Sequence, residues 1–201
     1  MSPSTPLLNP IGYFRRHDRP SLTVGVAIVF VEATAISIAM WLFLQRVMER
    51  VDTSAGAEPE IRSAFAGAAV GVFVAVFAGW LLLAAIVHVF LWFADADEGF
   101  WTTLAVVGEA ELVGIALLPV TAFGLFSLAG HVPSDPVAAA EYFQQATSFS
   151  SPLLLLSSLV GTLWKAAIQG LGLSESHDID PGNALALTFV VGVVGFFLNL
   201  A

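Results

Sequence analysis

Five long apolar runs limit what this chain can fold into: Leu22–Leu44, Ala64–Phe93, Thr102–Leu128, Pro152–Leu173 and Ala184–Leu200. A helix rises about 1.5 Å per residue, so about 20 residues cross a bilayer's hydrocarbon core. The first, third and fourth runs fit that length simply. The second has 30 residues and is expected to tilt or project from the bilayer, and the fifth, with 17, is short. The whole chain has 201 residues, 57% of them hydrophobic and 11% charged. Soluble domains carry about 25% charged residues. A soluble fold of this size could not hide so much apolar surface, so lipid must cover part of it. The expected class is an all-α integral membrane protein, a bundle of about five transmembrane helices following a short N-terminal segment (residues 1–21) at the cytoplasmic face.

The connections carry polar and helix-breaking residues. Gln45–Arg62 holds Arg46, Glu49, Arg50, Asp52, Glu58 and Glu60, and Ala94–Trp101 is a tight turn with Asp95, Asp97, Glu98 and Gly99. Asp135 before Pro136 reads as an N-cap and first-turn pair, opening a short amphipathic helix to about Thr147. Gly170 and Gly172 are expected to loosen the end of the fourth span, ahead of the polar run Ser174–Asp178. Asp180–Pro181 starts the fifth.

Charge and composition narrow the function. Six arginines and one lysine (Lys165) stand against 16 acidic residues, a formal charge of −9. That balance argues against nucleic-acid binding, which needs a basic patch. Together with abundant Ala, Val and Gly it suggests a halophile, where salt screens carboxylate repulsion. The absence of cysteine rules out disulfides, thiolate metal sites and cysteine nucleophiles. Arg15, Arg16 and Arg19 precede an apolar run too long for a signal peptide, so that run is read as a retained first span. A cytoplasmic N-terminus puts these three and Lys165 inside, against Arg46, Arg50 and Arg62 outside. The N-terminal cluster decides the orientation, and five spans then leave the C-terminus outside. Tyr13, Phe14, Trp92, Phe93, Phe100, Trp101 and Trp164 fall near inner ends and Trp41 near an outer one, as interfacial aromatics do.

Two sets of residues stand out within the spans. Ser63, Gly67, Gly71, Ala75 and Gly79 recur every four residues, a ladder that lets another backbone approach closely. It reads first as packing within one bundle and second as a dimer face. Ser158, Thr162, Ala166 and Gly170 form a shorter version. The ionisable residues Glu32, His88, Glu109, Glu111 and Lys165 all fall in the inner half of the bilayer. Such groups are costly against lipid and are expected to turn inward and pair, Lys165 with Glu109 or Glu111 and His88 nearby. They are read first as a network fixing helix register, second as a proton or ion path. Pro119 frees a carbonyl near Ile115 and is a candidate kink. No cofactor or metal is expected. The acidic turn lacks EF-hand spacing, the four histidines are dispersed, Gly170-x-Gly172 lacks a phosphate-loop context, and no serine sits in a nucleophile elbow.

The order of short motifs resembles a known family. Asn9-Pro10 and Tyr13-Phe14 precede the first span, and the second ends in Ala84, Ala85, His88 and Phe90. Glu98-Gly99-Phe100 and Thr103 follow, then Pro119, Leu163-Trp164, Gly170-Leu171, His177, Ile179 and Ala184. In this order they resemble the Yip domain family of five-span membrane proteins. In eukaryotes its members sit in Golgi and endoplasmic-reticulum membranes, contact Rab-type GTPases and support vesicle traffic. The resemblance implies a non-enzymatic membrane factor with a cytoplasmic N-terminus, associating with its own copies or with other membrane proteins. Only about twenty residues precede the first span, so the long cytosolic region of eukaryotic members has no counterpart and GTPase binding is not expected. The competing reading is a small proton, ion or solute transporter or channel using Glu32, His88, Glu109, Glu111 and Lys165. An intramembrane enzyme ranks last, because no nucleophile–base pair appears.

Overall fold

The structure, a computed structural model, describes residues 5–16, 20–52, 58–94, 96, 98–145 and 151–198. For residues 58–62, 140 and 143–145 only the backbone is considered. Arg19, Asp95, Asp97 and Thr147 lie outside the described residues, as do the side chains of Glu58, Glu60 and Arg62. Among the described residues eight helices follow in order: α1 Pro10–Phe14, α2 Leu22–Met48, α3 Glu58–Phe93, α4 Phe100–Ala110, α5 Leu112–Ala129, α6 Pro136–Gln145, α7 Pro152–His177 and α8 Pro181–Leu198. No strand occurs among the described residues. Among the described residues five helical segments are long and apolar enough to cross a membrane: α2, α3 from Ser63, α4 with α5, α7 and α8.

Local chemistry explains most of the helix ends. Ser21 caps α2 by accepting from the Val24 amide, and Ser151 caps α7 by accepting from the Leu154 amide. Asp135 accepts from the Ala138 amide at 2.8 Å and Asp180 from the Asn183 amide at 3.0 Å, each just before a proline. The fourth span differs from expectation at its end. α7 runs through Gly170 and Gly172 to His177, because neighbouring atoms fill the space beside both glycines: Leu185 and Thr188 at the first, Phe14 and Val106 at the second. Asp178, left-handed at φ 51°, stops it. The third span is broken at Glu111, whose amide bonds to the Gly108 carbonyl and whose carbonyl accepts from the Gly114 amide. α5 runs on through Pro119.

One end of the bundle, the near end, gathers the starts of α2, α4 and α8 with the ends of α3 and α7. The far end holds α6 and the end of α2. α4 and α5 occupy the middle, packed on α2 and α7, while α8 lies against α7. At the crossing of α2 and α4, Gly25 meets Gly108 so closely that a Cβ on Gly108 would lie 2.9 Å from the Gly25 Cα. Thr103 meets His177, Glu111 meets Lys165, Leu117 meets Gly161 and Thr121 meets Ser157, so α7 runs antiparallel to the third span. Val29, Trp80, Leu104, Val107, Val113 and Leu173 form the buried core, and Phe43, Val47, Ala129 and Val132 close the far end. Phe30, Val70, Leu82, Phe123, Leu156 and Val190 are exposed. An exterior of this kind suits hydrocarbon and not water.

The N-terminal segment turns back onto the bundle. Trp164 Nε1 donates to the Leu7 carbonyl at 3.1 Å, and Phe14 lies buried beside Gly172 of α7. Arg15 makes a two-pronged pair with Glu175, at 2.9 and 2.8 Å. Both apolar burial and this charged fork hold α1 against α7.

Candidate functional site

The third span and α7 bring charged groups to one level. By helical rise, Glu32 lies about 15 Å from the start of α2, Glu111 about 17 Å from the start of α4 and Lys165 about 18 Å from the end of α7. Three helices deliver the three groups at matching depth, and they meet. Lys165 Nζ donates to Glu111 Oε2 and, at 3.3 Å, to Glu32 Oε1. Glu32 is 4% exposed, Glu111 8%. In surroundings of low polarity this attraction is weakly screened, and either carboxylate alone would be costly there. Gly114 makes the arrangement possible: a Cβ there would collide with the Glu32 carboxylate.

A second polar level lies toward the near end. Thr103 Oγ1 is 3.1 Å from His88 Nδ1 and 3.1 Å from His177 Nε2, so one hydroxyl bridges two imidazoles from α3 and α7. The hydroxyl can donate to one ring and accept from the other, or accept from both, according to the tautomers of the two histidines. His177 is 4% exposed and its Nδ1 is buried without a partner, while Phe100 stands edge-on to His88. Beside this group, Glu109 accepts from the Ser21 amide at 3.2 Å and from the Tyr13 hydroxyl. Burial and then the nearby Glu109 carboxylate push the Tyr13 hydroxyl up to about 12.

Of the five ionisable residues singled out in the sequence, the structure joins Glu32, Glu111 and Lys165. Glu109 is not a partner of Lys165, and His88 belongs to the other level. The helical spacing and the break at Glu111 explain the split: Glu109 and Glu111, two residues apart, point to different sides of the span. Sequence reasoning missed Thr103 and His177 as polar partners, and Gly114 as the space for Glu32. Depth counting along antiparallel spans holds the signal for the first two; nothing local marks Gly114.

The small-residue ladder of the second span needs correction as intrabundle packing. Ser63, Gly67, Gly71, Ala75 and Gly79 are all exposed. A Cβ added at Gly67, Gly71 or Gly79 would meet nothing within 4 Å. α2 and α4 cover other faces of α3, through Trp80, Ala84 and Val87. The shorter ladder behaves differently: Ala166 and Gly170 are buried, with Thr162, Ala166 and Gly170 beside Gly192, Thr188 and Leu185 of α8.

A crevice separates α5 from α7 on the far side of the charged triad. Its volume is about 410 Å³, and it extends from Lys165 and Gly114 past Thr121, Ser157 and Thr162 to Leu125 and Leu154. Its wall is mostly apolar with a row of hydroxyls.

Five lipid-compatible spans, an apolar exterior and two inward polar levels define a multi-pass α-helical membrane protein. The chain belongs to the Yip1 domain family, whose model matches residues 6–201, almost the entire sequence. No curated protein and no solved structure matches it.

Proposed function

We propose that this protein is a non-enzymatic organiser of membranes, a scaffold that associates with its own copies or with other membrane proteins through the open face of α3. The N-terminus is cytoplasmic and the C-terminus outside the cell membrane in this reading, following the arginines at the start of the chain. The outward ladder from Ser63 to Gly79 carries the proposal. With nothing larger than a serine along it, the ladder leaves a groove on the helix, and in lipid such grooves favour close helix contact through packing and weak Cα–H hydrogen bonds. The ionic triad and the Thr103 bridge support the same reading, since each ties side chains of several helices together at one level and so fixes helix register.

Because the chain has no cysteine, single-cysteine variants report proximity cleanly. Ala75→Cys in native membranes should form a crosslinked species on mild oxidation, and Val190→Cys, exposed on α8, should not. Gly71→Leu in the Ala75→Cys background should abolish the crosslink. Equal crosslinking of both cysteines, or indifference to Gly71→Leu, would overturn the α3 face. Reconstituted vesicles separate this from the transporter reading: a scaffold passes no proton or cation current, and flux abolished by Glu32→Gln or Glu109→Gln would favour transport.

A further inference from the structure

The charge count at the triad is unbalanced. Two carboxylates, Glu32 and Glu111, face one ammonium, Lys165, leaving one formal negative charge inside the bundle. Lys165 reaches one oxygen of each carboxylate. The remaining Glu32 oxygen, Oε2, is buried and has no partner, on a residue 96% removed from solvent. An unmet charge and an unmet acceptor at one buried point are costly for the same physical reason, and one positive charge relieves both.

The other titratable groups on the packed elements do not supply it. On α3, His88 is held by Thr103, and on α4, Glu109 is held by Ser21 and Tyr13. On α7, Glu175 pairs with Arg15, and His177 meets Thr103. Among the described residues, Lys165 is the cation in contact with Glu32.

Access exists on one side. The crevice between α5 and α7 reaches Lys165 and Gly114, and Glu32 lies directly behind the latter. At about 410 Å³ it is far roomier than one water requires. Thr121, Ser157, Ser158 and Thr162 line it, and their hydroxyl oxygens suit a hydrated cation shedding its water in steps. We propose that the Glu32–Glu111–Lys165 cluster is a binding site for one monovalent cation, a proton or an alkali-metal ion, taken up at Glu32 through this crevice. The ligand bridges charge between α2, the break in the third span and α7, so occupancy tightens the bundle. The inference is independent of the α3 face: it concerns what the bundle binds, and not what binds the bundle.

The full chain in lipid nanodiscs tests it, by unfolding followed in two arms. One arm varies pH at fixed sodium; the other replaces sodium chloride with choline chloride at fixed pH and ionic strength. Uptake of one cation by the folded state alone changes the folding equilibrium about tenfold for each tenfold change in that cation's activity, below saturation. The part of the wild-type response that Glu32→Gln, which removes the unbalanced charge, abolishes identifies the ligand: the proton in the first arm, the alkali ion in the second. Glu141→Gln, an exposed carboxylate on α6, should leave it unchanged. The wild type supplies a second measurement, needing no variant: dicyclohexylcarbodiimide, an apolar reagent for protonated carboxyl groups, with the labelled residue located by mass spectrometry. Labelling at Glu32 that falls as pH rises supports the proton, and protection by sodium supports the alkali ion. A wild type indifferent to both cations, a response kept in full by Glu32→Gln, or Glu32 labelling that neither pH nor sodium alters, overturns the site.

Discussion

The Glu32 carboxylate occupies the space that a side chain at Gly114 would fill. A carboxylate from α2 therefore reaches Lys165 of α7 across the third span only because that span is bare at one position. The relation ties the register of three helices to a single hydrogen atom on one α-carbon. Gly114→Ala should push Glu32 off Lys165 and destabilise the bundle by about 1–3 kcal/mol, the range for overpacking a filled interior. Gly67→Ala, facing open space, should change stability little and slightly favour the helix. SDS-driven unfolding in mixed micelles compares the two.

Lys165 is the hub of the triad, so its loss and the loss of a partner should not add. Lys165→Met leaves Glu32 and Glu111 facing each other without the ammonium and is expected to cost about 3–5 kcal/mol. Adding Glu111→Gln should restore part of that stability, because the second change removes one uncompensated charge. A double variant as unstable as the sum of its singles would mean that the triad's members are not coupled.

At the second level the hydroxyl of Thr103 is the shared element. Thr103→Val keeps the shape and deletes the bridge, leaving ring nitrogens of His88 and His177 unmet, at a cost of about 1–3 kcal/mol. Thr103→Ser keeps the hydroxyl and should retain most of the stability. If Val and Ser behave alike in the same unfolding assay, the hydroxyl is not what matters there.

Tyr13 gives a pH dependence on the alkaline side. Its hydroxyl moves from an ordinary 10.0 up to about 12 in the folded protein, so the fold favours the neutral phenol. That contribution is complete below the unfolded value and is lost as pH rises through the interval between the two. Tyr13→Phe should be less stable than wild type at neutral pH and should show a shallower decline across the alkaline interval. Ultraviolet titration of the phenolate in wild type against Tyr13→Phe checks the ionisation directly.

The class of fold was legible in the sequence because it depends on summed properties. Run length and hydropathy decide whether a segment crosses hydrocarbon, and neither needs a partner helix to be known. The caps were equally local: Asp135 and Asp180 precede prolines and accept from amides three residues on. The candidate site was legible in its members and not in its connections. Glu32, Glu111 and Lys165 declared themselves by the cost of charge in lipid, but Glu109 was an equal claimant to Lys165, since a sequence does not say which side of a span meets α7.

What the chain's sequence determined by itself was a five-span apolar bundle with too few charges to be soluble and enough buried ones to need pairing, because transfer from water to hydrocarbon is nearly additive along a segment. Tertiary structure alone decided which carboxylate Lys165 meets, that Thr103 links two histidines, and that the ladder on α3 faces outward. Each of those depends on the rotation and depth of one helix against another, and close packing at points such as Gly25–Gly108 and Gly114 sets both.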